Sequence, residues 1–156
     1  MPKPSGTSRI PRPGEGKRGE EGYLGYLLRQ AAGAYRHRME RALADLEVTP
    51  PQFAVMTMLK AYPGQSSADL ARLALLTPQT VSVIVANLER AKSIVRRPHS
   101  VHGRILTIEL TESGLVLLER CRMRVLALES EVAEGLSRAE EAAIRGWLVR
   151  VAMSGA

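Results

Sequence analysis

The stretch TPQTVSVIVANLERAKSIVRRPHSVHGRILTIELT, residues 77–111, decides the fold. Thr77-Pro78 is a helix-opening pair, an N-cap hydroxyl followed by a proline at the first helical position. In the residues that follow, Val81, Ile84, Val85 and Leu88 recur at three- and four-residue steps, so they share one helical face and must pack inward. That turns Gln79, Thr80, Ser82, Val83 and Asn87 outward. The helix gives way to two β-favouring pieces, Ile94–Arg97 and Arg104–Leu110, joined by Pro98-His99-Ser100-Val101-His102-Gly103. Alternation in the second piece and a glycine in the connection predict an exposed β-hairpin.

Upstream, Thr49-Pro50-Pro51-Gln52 predicts a capping box and a helix through Phe53, Met56, Leu59 and Lys60, ended by Pro63 and Gly64. Ser66 or Ser67 caps a shorter helix carrying Leu70, Ala71 and Leu73. Before these, Leu24, Leu27, Leu28, Ala31, Tyr35, Met39, Leu43 and Leu46 form one stripe of a long helix. Downstream, Thr111 and Glu112 open a fifth helix with the stripe Leu115, Leu118, Cys121, Val125, Leu128 and Val132. Ser137 and Glu140 form a capping box for a sixth, through Ile144, Trp147, Leu148 and Val151. Residues 1–21, rich in Pro and Gly and poor in apolar anchors, are expected to form a disordered basic tail.

Three short helices followed by a hairpin make a winged helix-turn-helix. The predicted fold is therefore mainly α with a small β-hairpin wing: a winged helix-turn-helix over 49–110, flanked by N- and C-terminal dimerisation helices over 22–46 and 111–152. Composition agrees, since the 45% of hydrophobic residues include few aromatics and favour helix packing over a sandwich or barrel. The net charge of +6 makes a polyanion a plausible partner. Its distribution is more telling. Within 77–111, Arg90, Lys92, Arg96, Arg97 and Arg104 oppose only Glu89 and Glu109, and His99 and His102 lie there as well. Small polar residues on the first turns of a helix suit entry into a DNA major groove: Gln and Asn pair with adenine, and Val83 can meet a thymine methyl. The bland alternative for this face, a solvated surface on an ordinary core helix, loses ground because the helix stands between a helix-turn and a basic hairpin.

Four stretches together, TPPQFAVMTML at 49–59, SSADLARLALLTPQTVSVIVANLER at 66–90, RRPHSVHGR at 96–104 and LTESG at 110–114, resemble the MarR family of bacterial regulators across residues 23–152. The resemblance implies a homodimeric repressor on a pseudo-palindromic operator of double-stranded DNA. It also implies a small aromatic or phenolic ligand that relieves repression, for which Tyr35, Arg36, His37 and Arg38 are the candidate contacts; such residues are more often plain helix surface. Some positions depart from the family's pattern. His99 and His102 stand where wing acids are usual, Gly103 replaces a second basic residue, and the recognition helix has Val83 where a basic residue is frequent. Arg104 keeps the wing arginine. Lys92 takes the place of a helix-ending glycine, which implies a positive φ, and Ser93 replaces a core leucine.

The base-reading candidates are thus Gln79, Thr80, Ser82, Val83 and Asn87, and the phosphate or minor-groove candidates Arg90, Arg96, Arg97 and Arg104. The lone Cys121 excludes an intramolecular disulfide and a cysteine-based zinc site, and as part of an apolar stripe it reads first as a small core residue. His99-x-x-His102 lacks neighbouring ligands for a metal. No phosphate loop, carboxylate pair or nucleophile constellation stands out, so neither catalysis nor a cofactor is expected. No apolar run spans a bilayer, and no signal-peptide core precedes the first helix, which predicts no membrane partner and a cytoplasmic location. The alternative from another class is a protein-interaction module that uses the winged domain as a scaffold.

Overall fold

The structure, a computed structural model, describes residues 9–155. Its elements are α1 (Leu24–Leu43), α2 (Pro50–Ala61), α3 (Ser67–Leu73), α4 (Pro78–Arg90), β1 (Ile94–Pro98), β2 (Leu106–Leu110), α5 (Glu112–Val132) and α6 (Arg138–Met153). This is the mostly helical architecture with a two-stranded wing that the sequence predicts. Contacts divide the chain into two units, Met1–Arg38 and Met39–Ala156. No single helix among the described residues is long and apolar enough to cross a membrane.

In the first unit, part of the expected tail is folded. Residues 1–8 lie outside the described residues, but those that follow form a series of turns ahead of α1, including a 3-10 turn at Gly16–Arg18. The Arg12 amide donates to the Glu15 carboxylate at 2.7 Å. Gln30 of α1 binds Arg18 twice, donating to its carbonyl at 3.0 Å and accepting from its Nε at 3.3 Å. Low apolar content predicts no structure here because it measures burial alone. Polar bonds and backbone proximity do the work instead: a Cβ on Gly19 would stand 2.4 Å from the Gly14 carbonyl oxygen, so only glycine closes that turn.

The second unit contains the core. Val55, Met56 and Leu59 of α2, Leu70 and Ala71 of α3, Val81, Ile84, Val85 and Leu88 of α4, Ile94, Ile108 and Leu118 form one buried cluster. A second joins the last turn of α1 to α5 through Leu43, Leu46, Val48 and Cys121. Cys121 is fully buried, and burial pushes its thiol above the usual range, which disfavours the reactive thiolate. Each helix from α2 to α6 opens on a Ser or Thr hydroxyl that accepts from an amide three residues on, in turn Thr49, Ser66, Thr77, Thr111 and Ser137. Full capping boxes form at Thr49–Gln52, Ser66–Asp69 and Ser137–Glu140. The hydroxyl and amide of Ser66, together with Arg72, hold the Asp69 carboxyl below its ordinary value, and Ser137 does the same for Glu140.

The strands pair antiparallel with Ile94 opposite Leu110 and Pro98 opposite Leu106, and the Ile108 amide also donates to the Gln65 carbonyl at 3.0 Å. β2 begins two residues later than the alternation predicts. Arg104 therefore stands in the tip, residues 99–105, and does not open the strand. The tip closes early because the Ile105 amide, instead of continuing the ladder to His99, donates to the His102 carbonyl at 2.8 Å.

Two non-glycine residues in left-handed conformation flank α4. Leu75, with φ 56°, ends α3, and Lys92, with φ 59°, ends α4 as its replacement of a glycine implies. Both ends are Schellman-type caps. After α4 the Ser93 amide reaches back to the Leu88 carbonyl and the Lys92 amide to that of Glu89, each at 2.9 Å. The Lys92 carbonyl then accepts from the hydroxyls of Thr111 at 2.6 Å and Ser113 at 2.9 Å. Ser93 is buried beneath the first turn of α5. A Cβ on Gly114 would come within 1.9 Å of the Ser93 carbonyl oxygen, which explains the glycine in the LTESG stretch.

Candidate nucleic-acid interface

α4 presents the two faces its sequence requires. Val81, Ile84, Val85 and Leu88 are buried, while Gln79, Thr80, Ser82, Val83 and Asn87 are all exposed. Val83 is 61% exposed, unusual for an apolar residue inside a helix that is otherwise well packed. The exposed side chains do not stand alike. The Thr80 hydroxyl lies 2.8 Å from that of Thr77, so it is partly engaged by the cap. The Asn87 carbonyl oxygen accepts from the Arg90 guanidinium at 3.2 Å. Among the described residues the side chains of Gln79 and Ser82 make no hydrogen bond, and Val83 stands beside them.

The arginines divide in the same way. Arg96 on β1 pairs with Glu89 near the end of α4 at 3.1 Å, which ties the wing to the helix. Arg97 pairs with Glu109 across the hairpin at 3.0 Å. All of these groups are exposed or half-exposed, where an ion pair contributes about 0–1 kcal/mol and exchanges readily for another anion. Arg104, at the wing tip, makes no hydrogen bond or ion pair among the described residues. The sequence identifies the four arginines but not the carboxylates that Arg96 and Arg97 meet, because partnership depends on side-chain direction across two elements.

Tyr35, Arg36, His37 and Arg38 all lie on α1, Arg36 and His37 exposed, Tyr35 and Arg38 half-buried. A cleft that the sequence does not reveal opens between α2 and α5, with a volume of about 470 Å³ and with Phe53, Thr57, Lys60, Leu118 and Arg122 among its walls. The Thr57 hydroxyl there is buried without a hydrogen-bond partner among the described residues. Arg122 grips Glu119 with three bonds of 3.0–3.2 Å and so holds that carboxyl below its ordinary value. The only sequence signal of this cleft is a threonine within the apolar run of α2. Among the described residues, no cluster of three or more His, Cys, Asp or Glu is placed to hold a metal ion.

Comparison with known proteins places these features in a family. The MarR family model matches residues 46–105, from the turn before α2 to the wing tip. The chain is 36% identical over 118 residues to the HTH-type transcriptional repressor Rv2887 of Mycobacterium tuberculosis, covering 76% of this chain and 85% of that protein. The solved structure of Rv2887 with salicylic acid is similar at a TM-score of 0.68 and 34% identity, over 85% of this chain and 98% of that one. The Staphylococcus aureus MepR–DNA complex is similar at a TM-score of 0.79 and 26% identity, over 88% and 99%. The repressor CouR bound to a 23-mer DNA duplex is similar at 0.77 and 26%, over 83% and 92%. With its capped recognition-type helix, its basic wing and this degree of likeness, the chain belongs to the MarR family of winged helix-turn-helix transcriptional regulators.

Proposed function

We propose that the chain is a sequence-specific repressor that binds a pseudo-palindromic operator as a homodimer and is released by a small aromatic acid. The observation that carries the DNA reading is the division of α4: four apolar residues anchor it in the core, and its opposite face offers free hydrogen-bonding groups beside a basic wing. Gln79, Thr80, Ser82, Val83 and Asn87 read bases, with Gln79 and Ser82 least committed within the protein. Arg90, Arg96, Arg97 and Arg104 meet phosphates or the minor groove. Selection of bound fragments from random DNA tests this directly. Recovery of an inverted repeat supports it; sequence-blind recovery favours a protein-interaction module.

Apolar surface in the C-terminal helices supports the dimer. No residue of α6 is buried, and Ile144, Leu148 and Val151 are each 40% exposed or more. Between α6 and the end of α5 lies a cleft of about 550 Å³ whose walls include Leu126, Val132, Leu136, Ile144 and Leu148. A second copy covers such a surface, and light scattering at micromolar concentration should report a dimer. For the effector, the cleft between α2 and α5 offers an aromatic wall in Phe53, an orphaned hydroxyl in Thr57 and a cation in Lys60. Tyr35, Arg36, His37 and Arg38 on α1 are carried forward separately as candidate effector contacts. Salicylate, the ligand of the solved Rv2887 complex, is the first compound to titrate against operator binding.

A further inference from the structure

The wing tip contains an acceptor that none of these roles uses. His99 Nδ1 stands 3.1 Å from the Val101 amide nitrogen and 3.2 Å from that of His102. Both partners are backbone amides and can only donate, so Nδ1 must present a lone pair and the ring proton sits on Nε2. The His99 ring stacks on that of His102, with centroids 5.6 Å apart and planes inclined by 26°. Two backbone bonds of 2.8 Å close the same loop, His99 amide to Ile105 carbonyl and Ile105 amide to His102 carbonyl. Arg104 lies inside the second of them. The imidazole thus holds the turn from which the unpaired wing arginine projects.

We infer that His99, neutral and protonated on Nε2, is the positioning residue of the wing tip, and that its protonation releases the tip and weakens DNA binding. The inference rests on the DNA-binding reading above. A proton on Nδ1 would aim a third donor at two donors. Among the described residues, His102 is stacked on it and Arg104 lies in the same loop, while the charged groups of the wing strands and the adjoining end of α4 form the pairs Arg97–Glu109 and Arg96–Glu89. Both of those carboxylates already hold an arginine. Two consequences of protonation oppose each other: an added cation strengthens attraction to phosphate, and a loosened tip displaces Arg104. Salt weakens both, but a charge that acts at a distance is screened more fully than a direct contact of Arg104 with phosphate, so at moderate ionic strength the loss prevails.

The test uses the full chain, with the operator recovered by selection, at about 0.2 M salt, where charges a Debye length apart are screened. Affinity is measured at about pH 8 and pH 5.5, the range over which histidines change charge. The wild type should lose affinity about fivefold on acidification, the scale of losing a hydrogen-bonded turn. His99→Ala should be weakened by a similar factor at both values. His99→Asn keeps an acceptor for the two amides and should bind like the wild type at pH 8 without the acid loss. Nitrogen NMR of the free protein should show Nδ1 unprotonated at pH 8, with the Val101 and His102 amides shifting as the ring titrates. A wild type that gains affinity on acidification in parallel with His99→Asn overturns the inference, as does a proton on Nδ1 at pH 8. If no DNA sequence is preferred, the DNA-binding reading fails separately, and the NMR result still decides whether His99 holds the tip.

Discussion

The recognition helix and the wing tip lie next to each other in sequence, yet they are held by different physics. α4 is clamped by four buried aliphatic side chains, an N-terminal cap and a Schellman end, so its outward face is a by-product of what it buries. The tip buries nothing. Residues 100–105 are exposed, and their course depends on one imidazole and two backbone bonds. The helix is therefore suited to holding hydrogen-bonding groups in register with bases. The wing, whose shape depends on a few polar contacts, is suited to placing charge.

Removing the clamp should produce the largest effect. Leu88→Ala leaves a cavity under α4 and should lower unfolding free energy by about 2–5 kcal/mol in denaturant titration, with operator binding lost as a consequence. A loss below 1 kcal/mol would mean that packing does not set the helix. Gly114→Ala acts one step further away, driving a methyl into the Ser93 carbonyl where the wing, α4 and α5 converge. It should cost about 1–3 kcal/mol by overpacking, seen as a lowered denaturation midpoint.

The contrast is sharpest in paired binding measurements. Gln79→Ala should cost about 1–3 kcal/mol on the operator and relax preference at one base pair in each half-site, with salt dependence unchanged. Arg104→Ala should weaken operator and unrelated DNA by similar factors and reduce the slope of log K against log salt by about one. If Arg104→Ala abolishes sequence preference and Gln79→Ala changes nothing, the assignments are reversed. The smallest effect has the opposite sign. Lys92→Gly removes the cost of a left-handed lysine and should raise stability by about 0.5–1 kcal/mol in thermal unfolding, leaving base preference intact.

The helices were legible because burial imposes a period that residue type reveals. Both faces of α4 and the capping boxes at Thr49 and Ser137 could be read from the sequence, and the positive φ of Lys92 followed only from the family's glycine at that place. Polar geometry was not legible in this way. The alternation of Arg104–Leu110 places the start of β2 at Arg104, whereas the bond from the Ile105 amide to the His102 carbonyl ends the pairing earlier. Leu75 carries no sign of its left-handed backbone, since leucine is a residue for strands and helices alike. The ties from Arg96 to Glu89 and from Arg97 to Glu109, the orphaned hydroxyl of Thr57, and the folding of the turns beside Gln30 all depend on directions that only the assembled chain determines.

The hydroxyl caps at Thr49, Ser66, Thr77, Thr111 and Ser137 bear on how the chain comes to fold. Each joins groups three residues apart, so each helix start can be marked before any distant segment has arrived. The costly nucleus of a helix is thereby lowered where it is needed, and little loop-closure entropy has to be overcome first. On a chain emerging from the ribosome, α2, α3 and α4 can therefore begin in order of synthesis. The wing is different: the Thr111 amide must find the Ser93 carbonyl across a whole hairpin, so this contact has to wait for residues not yet made. The local caps are thus available earlier in synthesis than the contact that closes the wing.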